Sequence, residues 1–389
     1  MTGIVVLSAA RTAIGTFGGS LAGVTPIELA TVAAKAAIER AGVAPDQIGQ
    51  VVFGHVINTE PRDMYLSRVA ALQAGVPEGT PAMNVNRLCG SGLQAVVSAA
   101  QALMLGDASV ALAGGAESMS RSPYTLPAAR WGVKMGDTTA VDMMTGALTC
   151  PFGTGHMGVT AENVAEAHGI SREAQDAFAL ESQQRAAKAI AEGRFKDQIA
   201  PVEIASRKGT VVFDTDEHPK STTLDALAAL RPAFQKGGTV TAGNASGLND
   251  GAGAIVLARE DAVSGLKPRA RLIGWGIGGV APRVMGLGPI PAVQALLAKT
   301  GLKVSDFDVI ESNEAFAAQA LAVSEGLGLD PAKVNPNGGA IALGHPIGGS
   351  GAIIFTKALY ELERIGGKRA LATMCIGGGQ GIAVAIERI

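Results

Sequence analysis

The apolar positions of this 389-residue chain fall into two alternating rhythms. Short unbroken runs, beginning with Ile4–Ala9, predict strands buried on both faces. Longer Ala-rich stretches carry apolar residues at three- and four-residue steps and predict helices. The first, with Ile27, Ala30, Ala34, Ala37, Ile38 and Ala41 on one face, opens at Thr25-Pro26-Ile27-Glu28 and stops at Gly42. That opening has the spacing of a capping box, with Pro at the first helical position. Ile48–Val56 reads as a second strand, Ser67–Ala74 as a short helix, and Met83–Asn86 as a third strand. A long helix pattern follows from Leu93 to Leu105, closed by Gly106, and Ser109–Ala113 reads as a fourth strand ending in Gly114-Gly115-Ala116-Glu117. This alternation predicts an α/β fold around a mixed, largely buried sheet.

The rhythm breaks between Arg121 and about Asn244, where the clear signals are one long helix, Arg172–Glu192, and an extended pair around Val202–Ile204 and Val211–Phe213. A glycine-rich run, Gly243–Gly253, then returns to a strand at Ala254–Ala258. From Pro268 the rhythm resumes and repeats the first part. Gly42-Val43 precedes a strand ending at Gly54-His55, and Gly301-Leu302 precedes one ending at Asn313-Glu314. Ser91-Gly92 and Ser350-Gly351 each open an apolar helix, the second running over Ala352–Leu362; both the glycines and the serines are 259 positions apart. Val85-Asn86 matches Val334-Asn335, and Gly114-Gly115 matches Gly377-Gly378-Gly379. Two copies of one fold about a pseudo-twofold axis would bring both Ser-Gly helix starts to a shared centre. The expected organisation is residues 1–121 with 245–269 as one half, 122–244 as an inserted domain, and 270–389 as the other half.

With 47% hydrophobic residues, 52 glycines and only 4% aromatics, the chain has ample material for a large core of small side chains. A net charge of −2 offers no basic field for nucleic acid or a membrane surface. Three cysteines make no disulfide framework and suit a reducing, cytoplasmic compartment. No signal peptide is evident, and no apolar stretch is expected to cross a membrane.

The chemistry centres on Asn84-Val85-Asn86-Arg87-Leu88-Cys89-Gly90-Ser91-Gly92. Cys89 lies at or just before a helix N-terminus, where the helix dipole favours a thiolate. Gly90 and Gly92, lacking Cβ atoms, would let a substrate approach the backbone. By itself such a cysteine could equally be a buried structural residue. The second half supplies matching polar groups on loops: Asn313-Glu314-Ala315-Phe316, Gly344-His345-Pro346 and Cys375-Ile376-Gly377. His345 is a base near neutral pH. Two thiols about one pocket suggest two steps, one carrying a covalent intermediate and the other moving a proton. An Asn, a His and backbone N–H groups could hold a developing oxyanion. Those parts suit a Claisen condensation of thioesters and its reverse, thiolysis.

These blocks, with Asn244-Ala245-Ser246-Gly247-Leu248-Asn249-Asp250-Gly251, resemble the signature blocks of the thiolase family over essentially the whole chain, most closely its biosynthetic acetyl-CoA acetyltransferases. The resemblance implies a five-layer α-β-α-β-α sandwich of two duplicated halves with an inserted loop domain, usually assembled as a homotetramer. It implies that Cys89 is acylated and that His345 activates it and helps hold the second substrate's thioester oxygen. Asn313 would hold a water in that oxyanion hole, Cys375 would move the α-proton, and the N–H groups of Cys89 and Gly377 would form the other hole. It places Leu148, His156, Met157, Phe234 and Ser246 against the pantetheine arm of coenzyme A, with Met285, Ala315 and Phe316 along the same tunnel. Lys220 stands where the family has an Arg near the nucleotide end, in a stretch shorter than its usual counterpart, and Ser312 where Ala is common. Cys150 has no place in this scheme and reads as structural. The implied substrates are acetyl-CoA, acetoacetyl-CoA and CoA, with no metal or redox cofactor.

Ketoacyl synthases share the nucleophile but lack a second cysteine, so Cys375 argues against them. A degradative thiolase for longer acyl chains carries the same blocks. An inactive acyl-CoA or lipid carrier would be expected to lose Cys89, His345 or Cys375. A dinucleotide site is disfavoured because Gly377-Gly378-Gly379-Gln380-Gly381 leads into a strand rather than a helix.

Overall fold

The computed structural model describes residues 3–207 and 209–389. Strand β1 (Ile4–Arg11) is buried along its whole length. Helix α1 (Pro26–Ala41) starts at the expected capping box: the Thr25 N–H donates to the Glu28 carboxylate at 2.8 Å, and the Glu28 N–H donates to Thr25 Oγ1 at 3.2 Å. Gly42, at φ 66°, ends it in the left-handed conformation that favours glycine. Then come β2 (Gln50–Gly54), α2 (Leu66–Gln73), β3 (Ala82–Val85), α3 (Ser91–Leu105) and β4 (Val110–Ser118). The next stretch holds α4 (Met157–His168), α5 (Arg172–Ala191) and the hairpin β5 (Val202–Ser206) and β6 (Gly209–Phe213). The chain returns through β7 (Asn249–Arg259), β8 (Ala270–Gly279), α6 (Pro289–Thr300), β9 (Val309–Ser312), α7 (Ala317–Leu327), α8 (Ser350–Arg364), β10 (Arg369–Ile376) and β11 (Gln380–Arg388).

The strands form one continuous sheet in the order β9-β10-β11-β8-β1-β7-β4-β2-β3, with Gly15–Thr16 adding a short strand against β7. Its two halves repeat one pattern. In the first, β3, β2 and β4 run parallel and β7 and β1 antiparallel. In the second, β9 and β10 run parallel and β11 and β8 antiparallel, and Val334 bridges Ile310 in parallel where β3 stands in the first half. Only three residue pairs, from Ile4–Leu272 to Val6–Ala270, join the halves through β1 and β8.

Side-chain alternation along the strands sorts the core into layers. Val52, Ala113 and Ile255 of one half and Ala372, Met374 and Ile382 of the other pack on a shared centre of Leu93, Val96 and Leu103 from α3 and Phe355, Leu359 and Leu362 from α8. On the outer face of the first half, Val51, Phe53 and Val256 meet α1 and α2. On that of the second, Ile310, Leu371 and Ala383 meet Ala292, Val293 and Leu296 of α6. This is the five-layer α-β-α-β-α arrangement. The two helix starts touch backbone to backbone: a Cβ on Gly92 would lie 2.5 Å from the Ala352 nitrogen, and one on Gly351 would lie 2.2 Å from the Leu93 nitrogen.

Several sequence expectations need correction. Gly90 and Gly92 do not open the backbone to a substrate: a Cβ on Gly90 would strike Ile376 and Ile382, and Gly92 faces α8. Gly114 and Gly115 lie inside β4, not after it, because Gly115 faces the Gly348 carbonyl at a distance that admits no side chain. Strand β7 begins at Asn249 rather than Ala254. Helices α4, α6 and α7 escaped the pattern reading; α6 opens on Pro289 and contains Pro291, which punctuate like a loop. Leu88–Leu105, with a mean hydropathy of 1.4, is long and apolar enough by composition to cross a membrane, contrary to expectation. Its apolarity belongs to the central layer, where both faces of α3 meet other elements.

Substituting Gly351→Ala should lower unfolding stability by about 2 kcal/mol, the scale of overpacking in a closed core. Gly146→Ala, with nothing within 4 Å of the added methyl, should change it by less than about 0.5 kcal/mol. Denaturant titration of both variants checks the contrast.

Candidate active site

The turn between β3 and α3 is wound tightly by its own polar groups. The Leu88 N–H donates to Asn86 Oδ1 at 2.9 Å, the Arg87 N–H to Ser91 Oγ at 2.9 Å, and the Ser91 hydroxyl to the Leu88 carbonyl at 2.6 Å. Leu88 sits at φ 47°, a conformation that costs a non-glycine residue about 1 kcal/mol or more. The outcome is that Cys89 stands just before α3 beside the loop following β10. The backbone N–H groups of Gly377 and of Cys89 itself lie near its sulfur and favour its charged form.

Cys89, His345, Cys375 and Gly377 come together in a cavity of about 450 Å³. Leu148, His156, Met157, Lys220, Phe234, Ser246, Met285, Ala315 and Phe316 all line the same cavity. Asn313 does not: it is buried behind His345, with Nδ2 at 3.5 Å from His345 Nε2. One wall is aromatic. The His156 ring stacks on Phe234 at 4.7 Å, and Phe234 meets Phe316 edge-on at 6.0 Å. His156 also caps α4, its Nδ1 accepting the Gly158 N–H at 3.0 Å. Lys220 is anchored by its backbone N–H, which donates to Gln183 Oε1 at 2.8 Å. Cys150 is buried in the cluster beneath this wall.

Hydrogen bonds assign the His345 tautomer. The Ser350 hydroxyl donates its one proton to the Pro346 carbonyl at 2.8 Å, so its oxygen accepts at 2.6 Å from Nδ1–H of His345. Nε2 therefore carries the lone pair, and the Asn313 amide Nδ2 faces it at 3.5 Å. The His345 backbone N–H donates to Asn249 Oδ1 at 2.9 Å, which fixes the loop. Burial pushes the His345 imidazole down to about 4, so it is neutral at pH 7. The same burial raises the Cys89 thiol to about 11, against the N–H groups of Gly377 and Cys89. The expectation of a helix-stabilised thiolate in the resting site is thus overturned, because loss of water outweighs the helix terminus. Cys375 is raised further, by burial first and by the neighbouring Cys89 second.

Four supporting residues escaped the sequence reading. Ser350 was read only as a helix start. Asn249 lay within a glycine-rich run, yet it holds the His345 loop and donates from Nδ2 to the Gly15 carbonyl at 2.9 Å. His218 lines the cavity at 3.3 Å from Asn249 Nδ2 and is pushed down to about 4 by burial and then by Lys220. Glu117, at the end of β4, accepts the N–H groups of Val56, Ile57 and Gly348 at 3.2, 3.1 and 2.9 Å, tying loops of both halves together.

A cavity with two protonated thiols, a neutral imidazole base and backbone N–H donors beside the sulfur is equipped for acyl transfer through sulfur. The chain belongs to the thiolase family: residues 4–261 match the thiolase N-terminal domain and residues 266–388 the thiolase C-terminal domain. It is 62% identical to the beta-ketothiolase BktB of Cupriavidus necator, over 99% of both chains. Its fold superposes on the acetyl-CoA acetyltransferase of Bacillus anthracis with a TM-score of 0.98, 46% identity and coverage of 100% of this chain and 99% of that one. Human mitochondrial 3-ketoacyl-CoA thiolase in complex with CoA gives 0.97 and 47%, covering 100% and 98%.

Because the Cys89 thiol is raised to about 11, its alkylation by iodoacetamide should accelerate about tenfold per pH unit from about pH 7 to 9. Peptide mapping of the labelled residue measures this; a rate that levels off below about pH 8 would mean a pre-formed thiolate.

Proposed function

We propose that this chain is an acetyl-CoA C-acetyltransferase, catalysing the reversible condensation of two acetyl-CoA into acetoacetyl-CoA and free CoA. The observation that carries the reading is the meeting of Cys89, Cys375 and His345, whose Nε2 is unprotonated, in one cavity. In the first half-reaction Nε2 takes the Cys89 proton as the sulfur attacks the thioester carbonyl. The N–H groups of Cys89 and Gly377 receive the oxyanion. The C–S bond to coenzyme A breaks, and the departing thiolate takes a proton from Cys375. In the second, the Cys375 thiolate removes an α-proton from another acetyl-CoA, whose enolate oxygen is held by protonated His345 and a water on Asn313. The carbanion attacks acetyl-Cys89, the new C–C bond forms, the bond to Cys89 breaks, and His345 returns the proton to that sulfur. The raised thiol of Cys375 suits this role, since a strong base is needed at a weakly acidic carbon. No metal or redox cofactor enters.

The stacked wall of His156, Phe234 and Phe316, with Met157, Ser246 and Met285, fits a pantetheine arm, and Lys220 fits a phosphate farther out. The family likeness and an exposed apolar patch support a homotetramer: Trp131 and Met135 of the inserted segment are 87% and 95% exposed. A cytoplasmic setting fits three free thiols. A degradative, longer-chain 3-ketoacyl-CoA thiolase is the second reading, favoured by the likeness to the human enzyme.

Intact mass after brief exposure to acetyl-CoA should show one added acetyl on the wild type and none on Cys89→Ala. Cys375→Ala should still acquire the acetyl group but lose condensation by about 1,000-fold. No adduct on the wild type would sink the reading, and equal turnover along a series of acyl chain lengths would favour the degradative alternative.

A further inference from the structure

Behind the catalytic cavity a separate crevice of about 10 Å³ lies between β9 and α8. Glu311 and Ser312 at the end of β9, and Asn313 just beyond it, line one side. Ser350, Ile353, Ile354 and Lys357 present the opposing stripe of α8 at helical spacing. Lys357 Nζ donates to Glu311 Oε2 and to the Gly338 carbonyl, each at 2.7 Å. Glu311, Ser312 and Asn313 are only 1%, 3% and 2% exposed, yet Glu311 Oε1, Ser312 Oγ and Asn313 Oδ1 have no hydrogen-bond partner among the described residues. Three buried polar atoms left unpaired on one crevice carry a penalty of about 1–3 kcal/mol each.

The ligand that satisfies Glu311 Oε1 and Asn313 Oδ1 must donate twice, can accept from the Ser312 hydroxyl, and must fit a space the size of one water-sized sphere, the smallest that holds a water. A small cation would also suit two acceptors, but the Lys357 ammonium already supplies the positive charge there. We propose that the crevice binds one water, which donates to Glu311 Oε1 and Asn313 Oδ1 and makes Glu311 a positioning residue for the Asn313 amide. With Oδ1 held on that side, Nδ2 faces His345 Nε2. The flipped amide would set an oxygen against the nitrogen lone pair and leave the water's proton unmatched. The consequence for the second substrate rests on the thiolase reading, since that is where Asn313 acts.

The test has two parts. A high-resolution crystal structure of the wild type should show a single ordered water within hydrogen-bond distance of both acceptors. The variant Glu311→Leu/Lys357→Met removes the ion pair at similar volume, a replacement that buried pairs tolerate. Glu311→Gln/Lys357→Met keeps a polar partner for the water. Rates are read at about pH 8.5, above the value of about 7 to which burial raises the Glu311 carboxyl. Acetylation of Cys89 should stay within about twofold of wild type in both variants, while acetyl transfer to the second substrate should fall about tenfold in the Leu variant only. An empty crevice overturns the proposal, as does an unchanged transfer step or an equal loss in both half-reactions. Absence of any acyl-enzyme in the wild type would instead sink the thiolase reading, with the crystal structure still deciding the water site. If the Leu variant does not fold, the wild-type structure and the Gln variant decide.

Discussion

The contact of Gly92 with Gly351 and its neighbours is the constraint on which the rest depends. Two helices from different halves meet at their first turns with no side chain between them. That closeness carries the turn before α3 and the loop before α8 to one place, so Cys89 and His345 share a cavity although they are far apart in sequence. The same economy recurs where Gly115 of β4 meets the Gly348 carbonyl and Gly54 of β2 meets the Ser91 backbone. A methyl at any of these points would push a catalytic loop outward, and shifts of about 1 Å are enough to spoil reacting geometry.

Close packing also explains the electrostatics. The helix terminus beside Cys89 favours a thiolate, but burial of the site raises the thiol, and desolvation wins. The consistent resting state is neutral throughout: two thiols and one imidazole with Nε2 unprotonated. In the proposed reaction, charge then arises only as the substrate reacts, beside the N–H groups of Cys89 and Gly377. Donors fixed in advance contribute more to a transition state than to a ground state that lacks the charge.

The duplication was legible in the sequence because glycine and serine punctuation recurs at one offset, and β2 and β9 occupy the positions it required. Cys89, His345 and Gly377 were legible because each stands on a loop with unusual glycine neighbours, and Cys375 because it stands at the end of strand β10 just ahead of Gly377. Ser350 and Asn249 were not, since their work is to accept and donate to groups hundreds of positions away or across a turn, and nothing in composition marks that. The state of Cys89 was misread for a related reason: a helix start is local and visible, whereas burial is a property of the whole fold. Helix α6 was hidden by the prolines that begin it, and α4 by the loop-like Gly153-Thr154-Gly155 ahead of its cap.

Each half seats its active loop on a buried acid. Glu117 accepts three backbone N–H groups, one of them from Gly348 in the opposite half. Glu314 accepts from the Ser182 hydroxyl at 2.7 Å, Asn335 Nδ2 at 2.8 Å and the Ile341 N–H at 3.2 Å, linking the inserted helix α5 to the loop ahead of His345. Burial raises both carboxyls, while each donor draws them back. Such groups are poor sources of net stability, because removing a charge from water costs much of what its partners return. Their value is directional. An acceptor-only carboxylate among N–H donors admits one arrangement of the loops and opposes every other. Glu117 and Glu314 therefore fix the orientation of elements whose attraction is supplied by the central core of α3 and α8.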